Sequence, residues 1–268
     1  MSKIYHKYLL KHTKNMEILK VALLGLQQGI TELLPISSSA HLILTSNILD
    51  YEMDTYLLTV LHLGTTIALI LHFWNILFKD IFKKESINFY IKILISTIPA
   101  GLIGFLFEST IEEYLRGNIV ISISLISWGI LMILMERISK GKEINLREVT
   151  LEQSLVMGVA QTFALIPGGS RSGISTMAGI LTGLNKYTAI QYSFVLGLPL
   201  LLLAPIYEIF KEYPERVLNI YDILGITIAG IFTYISLLLL KRFSKEKWLT
   251  FFGIYRVVLG VIILVLAI

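Results

Sequence analysis

Six apolar stretches, near 56–78, 89–107, 118–136, 187–210, 220–240 and 248–268, limit what this chain can fold into. Each holds roughly 20 residues, enough for a helix to cross a hydrocarbon core about 30 Å thick. Inside lipid the backbone must satisfy its own hydrogen bonds, which leaves helices or closed barrels. The alternating pattern of a barrel strand is absent, so helices are expected. Charged residues make up 16% of the 268 residues, where a soluble domain carries about a quarter. The chain therefore reads as an all-α polytopic membrane protein surrounded by membrane lipids. Its net charge of +4 lies in loops. No basic face interleaves with aromatics, so a nucleic-acid partner is excluded. Without cysteine there is no disulfide, thiolate metal site or cysteine nucleophile.

Two stretches interrupt this pattern. Gly25 to His41 reads GLQQGITELLPISSSAH, and Gly158 to Gly173 reads GVAQTFALIPGGSRSG. Both run from a small residue through Gln, an apolar run and Pro to a serine cluster. Proline ends a helix, so residues 17–34 read as a helix broken at Pro35, with a short helix at 37–49. Residues 151–166 read as a helix broken at Pro167-Gly168-Gly169, with a short helix at 171–183. Each half then holds one broken pair and three spans. If each pair re-enters and leaves on its own side, each half crosses the membrane an odd number of times and the halves are oppositely oriented. The expectation is one integral membrane domain, an inverted repeat of two five-helix halves at 17–138 and 151–268, after a polar leader at 1–16. Sites in such folds form where the repeats meet, near the midplane.

Lysine and arginine favour cytoplasmic loops. Loops 79–88, 137–147 and 241–247 are basic and read as cytoplasmic; loops 50–56, 108–117 and 211–219 read as external. The lysine-rich N-terminus runs against this assignment.

Polar groups at membrane depth mark sites. Gln28 and Glu32, four apart, share a helix face. Glu32 is the only carboxylate between Glu17 and Asp50. With Gln28 adding a carbonyl, it forms an oxygen ligand set suited to a divalent cation, Mg²⁺ or Ca²⁺. Ser37, Ser38 and Ser39 open the short helix, where capping needs only one hydroxyl. His41 lies close enough in sequence to act as a base toward one of them. In the second stretch, Gly168 and Gly169 permit close backbone approach, and the helix that follows offers free N–H groups to an anion. Arg171 adds a planar donor fork for phosphate, flanked by Ser170 and Ser172. The two stretches are expected to meet as one phosphate-handling site. Arg256, inside the last span, reads as either a structural partner of a buried acid or part of the site. His62 and His72 read as core or interfacial residues, and Gln191 and Ser193 as cavity-lining.

With these motifs in view, the chain resembles the undecaprenyl pyrophosphate phosphatases, the bacitracin-resistance protein family. That family carries [Glu/Gln]-x-x-x-Glu, then Pro-x-Ser-Ser-x-x-His, and a Pro-Gly-x-Ser-Arg-Ser-x-x-Thr motif. Here they stand as Gln28 to Glu32, Pro35 to His41 and Pro167 to Ser175. Ser175 takes the usual threonine place with Thr176 adjacent, so either hydroxyl can serve. The resemblance implies an integral enzyme of the plasma membrane, its active site facing outward. It would hydrolyse a polyprenyl diphosphate lipid to the monophosphate and phosphate, recycling the carrier for cell-envelope glycans. Arg171, Ser170, Ser172 and the helix N–H groups would hold the diphosphate, a cation near Glu32 would offset charge, and Ser38 would attack with His41 or Glu32 as base. His41 as the nucleophile is the variant. A polyprenyl-phosphate transporter using the same anion site is the rival class, and a homo-oligomer is compatible with either.

Overall fold

The computed structural model describes residues 3–50, 55–138, 141–212, 215, 218–243 and 247–267. They form helices and turns, with no strand among the described residues. The first half runs α1 (Lys3–Thr31), α2 (Ser38–Ile48), α3 (Thr55–His72), α4 (Trp74–Phe78), α5 (Lys84–Leu106), α6 (Glu108–Tyr114) and α7 (Asn118–Ile138). The second half runs α8 (Leu151–Ala160), α9 (Arg171–Leu181), α10 (Lys186–Glu212), α11 (Ile220–Phe243) and α12 (Trp248–Ala267). Five helices, α5, α7, α10, α11 and α12, are long and apolar enough to cross a membrane. Between 28% and 39% of each of their apolar windows is buried within the chain. The outward faces carry large apolar side chains such as Leu94, Ile98, Ile123, Leu238 and Val261. A soluble protein would bury that much apolar surface, whereas hydrocarbon accepts it.

Several boundaries differ from the sequence reading. No break separates a leader from the first helix, because α1 is continuous from Lys3. The stretch at 56–78 is not one span. It bends at Phe73 into α4, whose last carbonyls accept from Arg147 Nη2: Ile76 O at 3.0 Å, with Lys79 O at 2.8 Å just beyond. Arginine at a helix C-terminus satisfies carbonyls that have no partner within the helix. The helix predicted at 151–166 ends at Ala160 and tightens into a 3-10 segment, Gln161–Leu165. The loop at 108–117, read as external from its charges, contains α6.

Packing brings the broken helices to the centre. α12 lies along α7, α11 against α1 and α3, α10 against α3, α5 and α9, and α8 against α5. α7 and α12 approach closely enough that a Cβ on Gly129 would sit 2.8 Å from Gly253 O, and one on Gly253 2.7 Å from Gly129 O. Small residues at such crossings let helix backbones make contact in lipid. The main core, with Phe89, Met132, Tyr192 and Phe194, lies around α10 and supports the second broken pair from beneath.

Candidate active site

Both interruptions end in the same local device. Pro35 and Pro167 lack the N–H that would continue a helix. Two to three residues later a serine caps the next helix: Ser37 accepts from Ala40 N and Ser170 from Gly173 N. Both serines hold positive φ, 71° and 62°. Non-glycine residues avoid that region, and such strain gathers at functional sites. It directs the first turns of α2 and α9 at each other.

The two tips touch. Gly168, at φ +92°, donates its N–H to Ser37 Oγ (3.2 Å). Ser172 Oγ donates to Leu34 O (3.4 Å). Arg256, fully buried on α12, clamps both: Nη1 donates to Pro35 O at 2.8 Å, and Nη2 to Gly168 O and Gly169 O. Arg256 does have a structural role, but its partners are backbone carbonyls of both tips and not the buried acid expected for it.

Glu32 is the hub, at the C-terminal end of α1. Its Oε1 accepts from Arg171 Nη2 at 2.7 Å. Its Oε2 accepts from Ser38 Oγ at 2.5 Å and from Gln28 Nε2 at 3.2 Å. Gln28 Oε1 is buried and has no hydrogen-bond partner among the described residues. The guanidinium of Arg171 fits only because residue 197 is glycine: a Cβ there would lie 1.5 Å from Nη1.

These groups floor a cavity of about 600 Å³ to which Glu32, Ser37, Ser38, Ser39, Ser170 and Arg171 contribute. Its walls are apolar, with Gly104 and Phe105 from α5, Leu165, and Leu200 and Pro205 from α10. Its mouth carries Glu108, Arg116 and Glu208. There a hydrogen bond from the Glu208 side chain holds the Glu108 carboxyl below the usual carboxylate range. Burial opposes this, and Lys211 and Arg116 add to the lowering.

Other expected site residues stand apart from the cavity wall. His41 does not meet the Ser38 hydroxyl: its Nδ1 bonds Ser37 O (2.7 Å) and its Nε2 the Tyr255 hydroxyl (2.6 Å). Gly168 and Gly169 give their carbonyls to Arg256. Ser175 Oγ donates to Arg171 O (2.5 Å), and Thr176 Oγ1 to Ser193 Oγ (3.3 Å) in a fully buried contact. Two sequence readings are corrected. Gln191 and Ser193 do not line this cavity. Gln191 faces a second one beside Glu143 and Asn145, and Ser193 is buried against α9. His62 is no core residue: it lines the cavity, its Nε2 3.6 Å from Glu32 Oε2.

Fold and site together define a helical membrane protein with a carboxylate, a hydroxyl and a guanidinium converging at the head of an apolar cavity. The family model for the bacitracin resistance protein BacA matches residues 21–262. The chain belongs to that family. It is 37% identical over 255 residues to the undecaprenyl-diphosphatase of Thermodesulfovibrio yellowstonii, covering 93% of this chain and 97% of that one. The Campylobacter jejuni (strain 81-176) undecaprenyl-diphosphatase is 34% identical over 256 residues, covering 91% and 92%. That of Halothermothrix orenii is 36% identical over 258 residues, covering 94% and 99%.

Proposed function

We propose that this protein hydrolyses undecaprenyl diphosphate, or a similar polyprenyl diphosphate, to the monophosphate and phosphate. It thereby recycles the lipid carrier of envelope glycans, and its overproduction confers bacitracin resistance. The observation that carries the reading is the single carboxylate of Glu32 holding Ser38 by one oxygen and Arg171 by the other, on the floor of an apolar cavity. A prenyl chain suits the walls and a diphosphate the floor. The relatives carry the same activity in their names. They offer no support for the transporter alternative.

Ser38 Oγ gives its proton to Glu32 Oε2 and attacks the terminal phosphorus. The anhydride P–O bond breaks, and the polyprenyl monophosphate leaves. Arg171 stabilises charge on the phosphoryl oxygens, since phosphoryl transfer depends mainly on positioning and charge stabilisation. Glu32 takes the role of base, because both ring nitrogens of His41 are engaged elsewhere and imidazole holds the Ser37 backbone instead. Gln28 and Glu32 would hold a Mg²⁺ or Ca²⁺ ion. Gln28 turns its Nε2 to the carboxylate, so its buried, unpartnered Oε1 would join Glu32 around such an ion only once the amide turns over. When bound, the ion would neutralise diphosphate charge.

The architecture belongs to the same proposal: an inverted repeat whose re-entrant pairs are α1–α2 and α8–α9. Gly25 and Gly158, Gln28 and Gln161, and Ser37 and Ser170 stand at one constant offset. Exchanging α1, α2, α3, α5 and α7 for α8, α9, α10, α11 and α12 returns most of the main contacts, although α9 on α10 has no counterpart of similar size in α2 on α3. α1 on α11 becomes α8 on α5, α3 on α11 becomes α10 on α5, and α3 on α10 and α7 on α12 map onto themselves. The mouth is built from α6 and the end of α10, beside loops with fewer Lys and Arg than 137–147 and 241–247, which favours an external opening in the plasma membrane.

The test is phosphate release from a polyprenyl diphosphate by the purified protein in detergent. Arg171→Ala and Ser38→Ala should each lower the rate at least about 100-fold, and a chelator should lower it reversibly. Undiminished release by Arg171→Ala would end the proposal.

A further inference from the structure

We infer that His62 is a catalytic residue that holds the water for the second half of the reaction, the hydrolysis of a phosphorylated Ser38. The inference rests on the phosphoserine pathway proposed above. His62 Nδ1 lies 2.7 Å from Leu58 O. A carbonyl only accepts, so Nδ1 carries a proton, and in the neutral ring Nε2 is left as an acceptor. That nitrogen faces the cavity, 3.6 Å from the same Glu32 oxygen that holds Ser38. At 3.6 Å the two atoms do not bond each other, and with the ring neutral both are acceptors that one donor from the cavity can bridge. Water is the donor that the second half-reaction requires. His41 offers no such vacancy, since both its nitrogens are engaged.

The first half-reaction makes a second water-holding group necessary. After Ser38 attacks, Glu32 carries the serine proton and cannot also serve the water. In the second half, water oriented by Nε2 forms the new P–O bond, and the Ser38 Oγ–P bond breaks. The proton on Glu32 returns to Oγ. One water proton passes to a phosphoryl oxygen and departs with the phosphate, so Nε2 need only accept a hydrogen bond. Holding a nucleophile in line is worth on the order of 100-fold in rate.

The experiment uses polyprenyl diphosphate labelled in its terminal phosphate, quenched in acid on the timescale of the first turnover. His62→Leu should produce one equivalent of lipid monophosphate, keep the label on the protein and release phosphate about 100-fold slower than wild type. His62→Met, a second side chain of similar size without a nitrogen, should do the same. His62→Gln, whose amide carries both a donor and an acceptor, should release phosphate within about tenfold of wild type. Adding Ser38→Ala should remove the label from the His62→Leu protein. Wild-type phosphate release by His62→Leu, or equal slowing of both halves, overturns the role of His62 alone. Label that persists after Ser38→Ala, or turnover with no label in any variant, overturns the phosphoserine pathway itself.

Discussion

Gly197→Ala is the sharpest probe of the site, because it adds one methyl group outside every motif. A Cβ at residue 197 would meet Arg171 Nη1 at 1.5 Å, Cζ at 2.5 Å and Nε at 3.3 Å. Ordinary contact needs about 3.5 Å, so the guanidinium must retreat by about 2 Å. Nothing else of the chain stands among the three nearest atoms, so the clash falls on the far end of one flexible side chain. The helix itself gains, since alanine exceeds glycine by about 1 kcal/mol in a helix interior. Folding should survive, with a thermal midpoint in detergent at or above that of the wild type. The 2.7 Å bond from Nη2 to Glu32 should not survive. A displacement of that size costs at least about 100-fold in rate, or about 2.7 kcal/mol of transition-state stabilisation. Phosphate release is the assay, run beside Arg171→Ala and the double variant. If the methyl acts only through Arg171, the double variant is no slower than Arg171→Ala alone. Wild-type turnover by Gly197→Ala would refute the placement of the guanidinium. A double variant much slower than Arg171→Ala would show that residue 197 acts through another group.

Two further outcomes follow from the structure. Arg256→Ala strands the Pro35, Gly168 and Gly169 carbonyls, at about 1–3 kcal/mol for each left unpaired. The thermal midpoint should drop and phosphate release should collapse. Arg256→Lys, with a single ammonium in place of a fork, should recover stability only in part, whereas an unchanged midpoint for Arg256→Ala would dismiss the clamp. At the mouth, the side-chain bond with Glu208, then Lys211 and Arg116, hold the Glu108 carboxyl low, so these contacts contribute stability above the ordinary carboxylate range and lose it as pH falls through the lowered value. Glu108→Gln should therefore be slightly less stable than wild type at pH 7, by no more than about 1 kcal/mol at so exposed a pair. The gap should close on acidification, and a gap that widens toward acid would contradict the sign.

What could be read from the sequence is what local chemistry determines. The starts of α2 and α9 are set by capping after Pro35 and Pro167, and these lie within a residue or so of the expected positions. Gln28 and Glu32 share a face by helical spacing alone, but Gln28 meets the carboxylate with its nitrogen and not with the carbonyl expected as a ligand. Rotation and partner choice were not legible. One histidine in an apolar helix looks the same whether it faces core or cavity, and His62 is placed beside Glu32 only by the packing of α3 near the end of α1. A polar side chain in an apolar span offered a clue, but Gln191 carried the same clue and faces another cavity. Arg256 could be seen as costly at membrane depth, while its carbonyl partners lie on two distant turns. The polar composition at 1–16 suggested a leader, yet lysine and leucine are good helix formers, and α1 begins at Lys3.

Under the proposed repeat, matched positions hold different chemistry, and the difference has a physical cause. Ser37 and Ser170 are matching caps, so the next residues, Ser38 and Arg171, are matching first turns. Glu32 matches Leu165 at the same offset. A symmetric site would bring two nucleophiles or two cations to one phosphorus, and two carboxylates would repel each other and the diphosphate alike. Attack on an anion needs one group that gives electrons, one that withdraws charge and a single base between them. Glu32 spans both tips by its two oxygens. One carboxylate on one repeat is therefore enough to couple the hydroxyl of its own tip to the guanidinium of the other, and a duplicated fold can carry out this chemistry only after its halves have diverged at these positions.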